Sequence, residues 1–264
     1  MKTLLISLIV LVAAVAADGA AQTAEEQGLA IARAARDRQA GFQSYTAVGR
    51  MTLRDLYGSE SVRDFRTKTL EVQDDGDKTM IVFDRPRDIA GTALLSHAHK
   101  AGNDDQWLYL PALRRVKRIT SAGKTGSFAG SQFSYEDLVA APIERFDFKW
   151  LGDAPCPRIE TLVCHVNEQY PRNDDSGYRR QRIWLDTEAY RVFRSEYYDR
   201  KDTLLKVLVV NGYQLYEDRF WQPTQLVMTN MRTEKSTVMD WTDYDFAAGL
   251  DDDDFSRRGL ERVK

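Results

Sequence analysis

The residues whose types could do chemistry are few: three histidines, two cysteines and a short hydroxyl–lysine stretch. His97 and His99 stand two apart, so on a strand they would share a face. Together with His165 they would supply three nitrogens for zinc. No carboxylate or cysteine stands beside the pair in a recognisable ligand pattern, and no metal site is expected. Ser121 and Lys124 match S-x-x-K, and Lys124-Thr125-Gly126 matches K-T-G. In serine acyl-transferases those motifs come from different elements and meet in space. Here they share one lysine and cannot form two walls of a site. Gly123-Lys124-Thr125 resembles the end of a phosphate-binding loop, but Arg118 stands where the required glycine should be. No G-x-S-x-G or H-E-x-x-H occurs, and no pair of carboxylates stands out as acid and base. The reading is of no catalytic residue and no cofactor.

The cysteines take their meaning from the compartment. Residues 1–21 carry Lys2, an uncharged apolar run from Leu4 to Ala17, and then small residues. Ala14-Val15-Ala16 and Gly19-Ala20-Ala21 both fit the small-x-small cleavage rule. This is the pattern of a secretory signal peptide. A membrane anchor is the competing reading, but the run falls short of the roughly 20 residues a spanning helix needs. The expectation is an exported, soluble protein of the periplasm, with residues 22–264 forming one domain. In an oxidising compartment Cys156 and Cys164, eight positions apart, could bridge the ends of a short hairpin. Two buried thiols are the alternative.

These residues need elements to hold them. Thr23 and Glu26 have capping-box spacing at the head of an Ala-, Glu- and Arg-rich stretch that Gly41 can stop, which predicts a helix. Its face through Leu29, Ala32 and Ala35 is only modestly apolar. From Tyr45 to Phe246 twelve segments rich in Val, Ile, Thr and aromatics follow, separated by turn residues such as those at 74–77 and 173–177. They predict an antiparallel meander. Several carry apolar residues on both faces, so both faces of the sheet must be covered. Residues 135–146 read as helical or irregular, and the four-aspartate run at 251–254 as a solvated loop.

Lys and Arg number 37 against 40 Asp and Glu, a formal charge of −3, which does not suit a protein built to neutralise nucleic acid. Two basic clusters remain, Arg114, Arg115, Lys117 and Arg118, and Arg179, Arg180 and Arg182. They read either as solvated strand faces that protect a sheet edge, or as docking points for anionic lipid headgroups or an acidic partner. Transient contact with a membrane surface belongs to the second reading.

The stretch from Trp107 to Leu138, WLYLPALRRVKRITSAGKTGSFAGSQFSYEDL, resembles the outer-membrane lipoprotein-sorting protein family, the LolA-like group, and within it the branch associated with RND-type exporters. The resemblance continues through RIWLD, SEYYD and LLKVL to MRTEKSTVMDWTDYDF and covers most of residues 30–262. Gln132 departs from it, standing where an acidic residue is expected. The resemblance implies a mainly β fold: a single curved antiparallel sheet, an unclosed half-barrel, with helices on its concave side. It implies a carrier of lipid or lipoprotein acyl chains toward the outer membrane. A non-carrying adaptor of an RND-type exporter is the alternative.

Carriage makes physical sense. Each CH₂ removed from water gains roughly 0.8 kcal/mol, so a 16-carbon chain is worth on the order of 12 kcal/mol and does not cross water unaided. The expected lining is the large apolar residues Phe83, Trp107, Tyr109, Trp184, Phe193, Leu205, Val207 and Met228. Residues 123–134, rich in Gly, Ser and Phe, read as a flap at the cavity mouth with Phe128 and Phe133 as plugs.

Overall fold

The computed structural model describes residues 22–261, so the signal-peptide expectation at residues 1–21 lies outside the described residues. The first element is α1 (Ala24–Gln39). Its capping box forms as the sequence suggests: the Thr23 hydroxyl accepts from the Glu26 amide at 3.1 Å, and the Glu26 carboxylate accepts from the Thr23 amide at 2.9 Å.

Thirteen strands follow in one antiparallel sheet. They are β1 (Ser44–Arg54), β2 (Glu60–Leu70), β3 (Lys78–Arg85), β4 (Ala93–His97), β5 (Asp105–Leu110), β6 (Arg115–Ile119), β7 (Phe146–Cys156), β8 (Ile159–Pro171), β9 (Tyr178–Asp186), β10 (Val192–Asp199), β11 (Leu204–Tyr216), β12 (Phe220–Asn230) and β13 (Ser236–Asp245). Twelve of them match the twelve segments read from the sequence. β4 does not. Its Ala-Leu-Leu-Ser-His is buried through its first four residues, so no alternation marks it.

The order is β6-β5-β4-β3-β2-β1-β13-β12-β11-β10-β9-β8-β7. Neighbours in sequence are neighbours in space, except that β1 pairs β13. That pairing leaves β6 and β7, consecutive in the chain, at the two free edges. The sheet must also curl. At about 4.8 Å per strand, β4 and β9 would stand nearly 40 Å apart on a flat sheet. Yet Leu94 of β4 and Tyr178 of β9 belong to one buried cluster with Met51, Phe65, Phe83, Tyr197 and Met228. The concave face therefore closes on itself without the edges pairing.

The apolar residues on both strand faces are explained by two separate covers. On β3, Ile81 and Phe83 enter the concave cluster, while Met80 and Val82 enter a second cluster on the outer face. The outer cover is the C-terminal segment, with Phe255 and Leu260 fully buried. Asp251, Asp252 and Asp253 are solvent-exposed, as read from the sequence, but the run is a turn tied to the sheet, with Phe255 after it buried. Asp251 caps a 3₁₀ turn over Asp252–Phe255, and Asp252 and Asp254 pair with Lys78 and Lys68 of the sheet. A short helix, α2 (Arg257–Leu260), ends the described chain.

Residues 120–145 connect the two sheet edges, and Phe128, Phe133, Tyr135 and Leu138 among them pack into the concave cluster. Residues 135–146, read as helical or irregular, hold two 3₁₀ turns, Tyr135–Leu138 and Ile143–Arg145.

Candidate functional site

The cavity begins with small residues on α1. Gly28 sits so close to the sheet that a Cβ there would lie 2.8 Å from the amides of Lys149 and Trp150. Asn167 of β8 donates from its side chain to the Gly28 carbonyl at 3.0 Å, fixing the helix on the concave side. Further along, Ala32 and Ala35 leave room where larger residues would close it. The space between them and the sheet is a cavity of about 710 Å³. This lies within the roughly 300–1,000 Å³ of small-molecule sites. Its inner wall is Phe148, Ile183, Leu185 and Val192 with the amides Asn167 and Gln169 between them, and its side wall Ala140 to Ile143.

The mouth is polar. Glu71 accepts from the amides of Gly41 at 2.7 Å and Gln43 at 3.0 Å, tying the end of α1 to the β2–β3 turn. Asp75 accepts from His99 Nδ1 at 2.6 Å and from the Lys100 amide at 2.7 Å, and these bonds hold its carboxyl at about 2. His99 is raised in turn, first by Asp75 and then by Asp105. Asp77 differs: burial pushes it up to about 6 against a single amide bond from Val72. Arg36 and Lys100 supply positive charge at the same rim.

The two aspartates imply opposite pH dependences. Asp75, depressed from 3.8, contributes stability present above 3.8 and lost as pH falls through about 2. Asp77, raised from 3.8, contributes stability present below 3.8 and lost as pH rises through about 6. Asp77→Asn should therefore flatten the fall in stability between pH 4 and 6. The difference should reach at most about 3 kcal/mol, less what solvent at the cavity mouth screens. Urea melts across that window check it; a variant curve parallel to the wild type would contradict the burial of this carboxyl.

None of the ten residues expected to line the site borders this cavity, whereas Phe133 and Leu205 border a second, more polar space of about 500 Å³ beside Tyr178 and Lys206. Phe83, Phe128, Phe133, Leu205 and Met228 meet in the concave core, where Phe128 stacks on Phe83 at 5.4 Å. Trp107 and Tyr109 face outward beneath the C-terminal cover. Trp184 and Phe193 pack on the outer face beside a disulfide joining Cys156 to Cys164, Cα atoms 4.9 Å apart. A bulge between Val192 and Arg194 turns Phe193 to the side of Trp184. Val207 is buried on the face opposite its neighbour Lys206, whose cross-strand partner Tyr197 belongs to the concave core. Beneath α1 the physical reason is volume: space survives there because Ala32, Ala35, Ala140 and Ala141 are small.

Residues 123–134 are anchored rather than loose. Phe128 and Phe133 are buried, and Ser127 bridges Ser134. Asp137, in the YEDL stretch, is the anchor. It accepts from Lys206 Nζ at 2.7 Å, Tyr178 Oη at 2.7 Å, and the Ser134 amide and hydroxyl at 2.7 and 2.8 Å. Lys206 also donates to the Gln132 carbonyl at 3.2 Å. A main-chain oxygen serves there, so the departure at Gln132 costs this contact nothing.

The histidines do not converge. His97 contacts the Phe255 carbonyl at 2.9 Å, His99 lies between Asp75 and Asp105, and His165 meets Asp153 on the far half of the sheet. Among the described residues no group of His, Cys, Asp or Glu could hold a metal ion. No described helix is long and apolar enough to cross a membrane.

Known proteins place the chain. A family model described as an uncharacterized protein matches residues 75–262. No curated protein matches. A solved outer membrane lipoprotein-sorting protein domain from Vibrio parahaemolyticus is 44% identical, with a TM-score of 0.87, covering 90% of this chain and 100% of its own. A DUF1329 family protein from Desulfovibrio piger is 27% identical, with a TM-score of 0.84 and 90% and 99% coverage. A LolA superfamily protein from Nitrosomonas europaea shares the fold at 16% identity, with a TM-score of 0.69 and 88% and 98% coverage. With its unclosed thirteen-stranded sheet and these relatives, the chain belongs to the LolA-like family of outer-membrane lipoprotein-sorting proteins.

Proposed function

We propose that this protein is a periplasmic carrier that shields the acyl chains of a lipid or lipoprotein in the cavity beneath α1. The observation that carries the reading is the cavity itself: about 710 Å³, walled largely by Ala, Ile, Leu, Val, Phe and Pro with the amides Asn167 and Gln169 among them, and bordered by the charged Arg36, Glu71, Asp75, Asp77, Lys100 and Glu144. Apolar walls replace water around the chain, and the rim leaves the polar head in solvent. Binding and release then require no bond to be made or broken. A non-carrying adaptor has no use for such a cavity, and the adaptor reading gains nothing from it.

The test is mass spectrometry of protein expressed with its own N-terminus and purified without detergent, with an organic extract analysed in parallel. A stoichiometric lipid or acylated peptide is the expected result. Ile183→Glu places a charge in the inner wall and should reduce that cargo by at least about tenfold, since desolvating a carboxylate costs more than 1.4 kcal/mol. Protein that stays bare after incubation with membrane lipids would end the carrier reading.

A further inference from the structure

The two edges of the sheet are treated differently. β7 lies under α1, whose Gly28 rests against the Lys149 and Trp150 amides. β6 pairs β5 on one side, from Leu110↔Arg115 to Gln106↔Ile119. On its other side no described residue bonds to the main chain of residues 115–119. One row of amides and carbonyls is therefore unpaired. Arg115, Lys117 and Arg118 are exposed along it, and Arg114 turns into it with φ of 48°. Arg118 pairs with Asp105, whereas Arg114, Arg115 and Lys117 have no ion pair among the described residues. Cations stand on both faces: Arg115 and Lys117 lie opposite Leu110 and Leu108, and Arg118 opposite Trp107.

We propose that β6 is a docking edge for an extended acidic segment of a partner protein, added as a fourteenth strand. The unpaired edge supplies main-chain hydrogen bonds, and carboxylates at every second position of the incoming strand would meet Arg115 and Lys117, which share one face. Opposite charges across a strand pair contribute roughly 0.2–1 kcal/mol each, and like charges repel by similar amounts. The same charges therefore bar pairing with a second copy of β6, and α1 covers β7. An acidic strand is the occupant that both the hydrogen bonds and the charges accept. The chain as a whole is acidic, at −3, so the stripe is a local feature.

The test uses ¹⁵N-labelled protein and a seven-residue peptide alternating glutamate and valine, added to millimolar concentration. Saturable amide shifts confined to residues 114–119 and their β5 partners are expected. Methylating alternate peptide amides removes strand pairing but keeps the charge. The double variant R115E/K117E reverses two exposed charges outside the cavity. Each should weaken binding by roughly tenfold or more, and the variant should load cargo as the wild type does. No shifts at β6, or equal binding of the methylated peptide, would overturn the proposal. So would shifts produced by phosphatidylglycerol vesicles but not by the peptide, which would assign the stripe to lipid.

Discussion

Replacing Lys206 with methionine should lower the free energy of unfolding by about 3–5 kcal/mol, the cost of leaving a buried charge without its partner. Lys206 and Asp137 are 7% and 2% exposed at their side chains, and the ammonium is 2.7 Å from the carboxylate. Removing the lysine leaves Asp137 with the Tyr178 hydroxyl and the two Ser134 donors, which were sufficient only alongside a positive charge. The effect should also be local in origin. Asp137 holds the Tyr135–Leu138 turn, and Lys206 also holds the Gln132 carbonyl and the Ser134 hydroxyl, so the segment that fills the concavity loses all three of these ties to β11. Phe128 and Phe133 then lose the backbone that positions them in the core.

Two comparisons make the result specific. Arg172 and Asp147 also form a pair at 2.7 Å, but at 59% and 66% exposure. Arg172→Met should change stability by less than about 1 kcal/mol. Asp137→Asn combined with Lys206→Met removes both charges and should recover part of the loss. Urea unfolding of the four proteins decides it. A Lys206→Met curve overlying the wild type would mean that the concave segment is held by its aromatic contacts alone.

The sheet was legible because strand residues and turn residues alternate along the chain, and twelve of thirteen strands follow from that pattern. α1 was legible from its cap. The sheet's closure was not, because nothing in the sequences of β1 and β13 announces that they pair across nearly 200 residues. The cavity was less legible still. Periodicity and residue size point to Phe83, Trp107 and Phe128, which have the most surface to bury and so end in filled clusters. A cavity is a deficit of side-chain volume, and Ala32, Ala35, Ala140 and Ala141 give no signal as single residues. The modestly apolar face of α1 was the available clue: a helix with so little to bury fits poorly as core filling and well as the wall of a space. The buried carboxylate at Asp137 was hidden for another reason. Its partners lie 41 and 69 positions away, and only the folded sheet brings them together.

Gly28 carries the second large effect, and the sequence and the structure disagree on its sign. Glycine inside a helix costs about 0.5–1 kcal/mol relative to alanine, so sequence alone makes Gly28→Ala stabilising. In the fold, the added Cβ would lie 2.8 Å from the Lys149 and Trp150 amides and from Asn167 Oδ1. Two of these are backbone atoms of a paired strand and cannot rotate away. α1 must lift, and the Asn167 bond to the Gly28 carbonyl stretches or breaks. Overpacking of this kind costs typically 1–3 kcal/mol, which exceeds the propensity gain. Gly28→Leu should undock the helix altogether. The functional consequence follows from the same geometry, because Ala32 and Ala35 on that helix form one wall of the cavity. Gly28→Ala should therefore melt lower than the wild type, and Gly28→Leu should in addition purify free of cargo while its sheet still unfolds cooperatively. Thermal melts and the mass of the detergent-free protein measure both. A Gly28→Ala protein more stable than the wild type would show that α1 does not pack on β7 through this glycine, and that the cavity has some other wall.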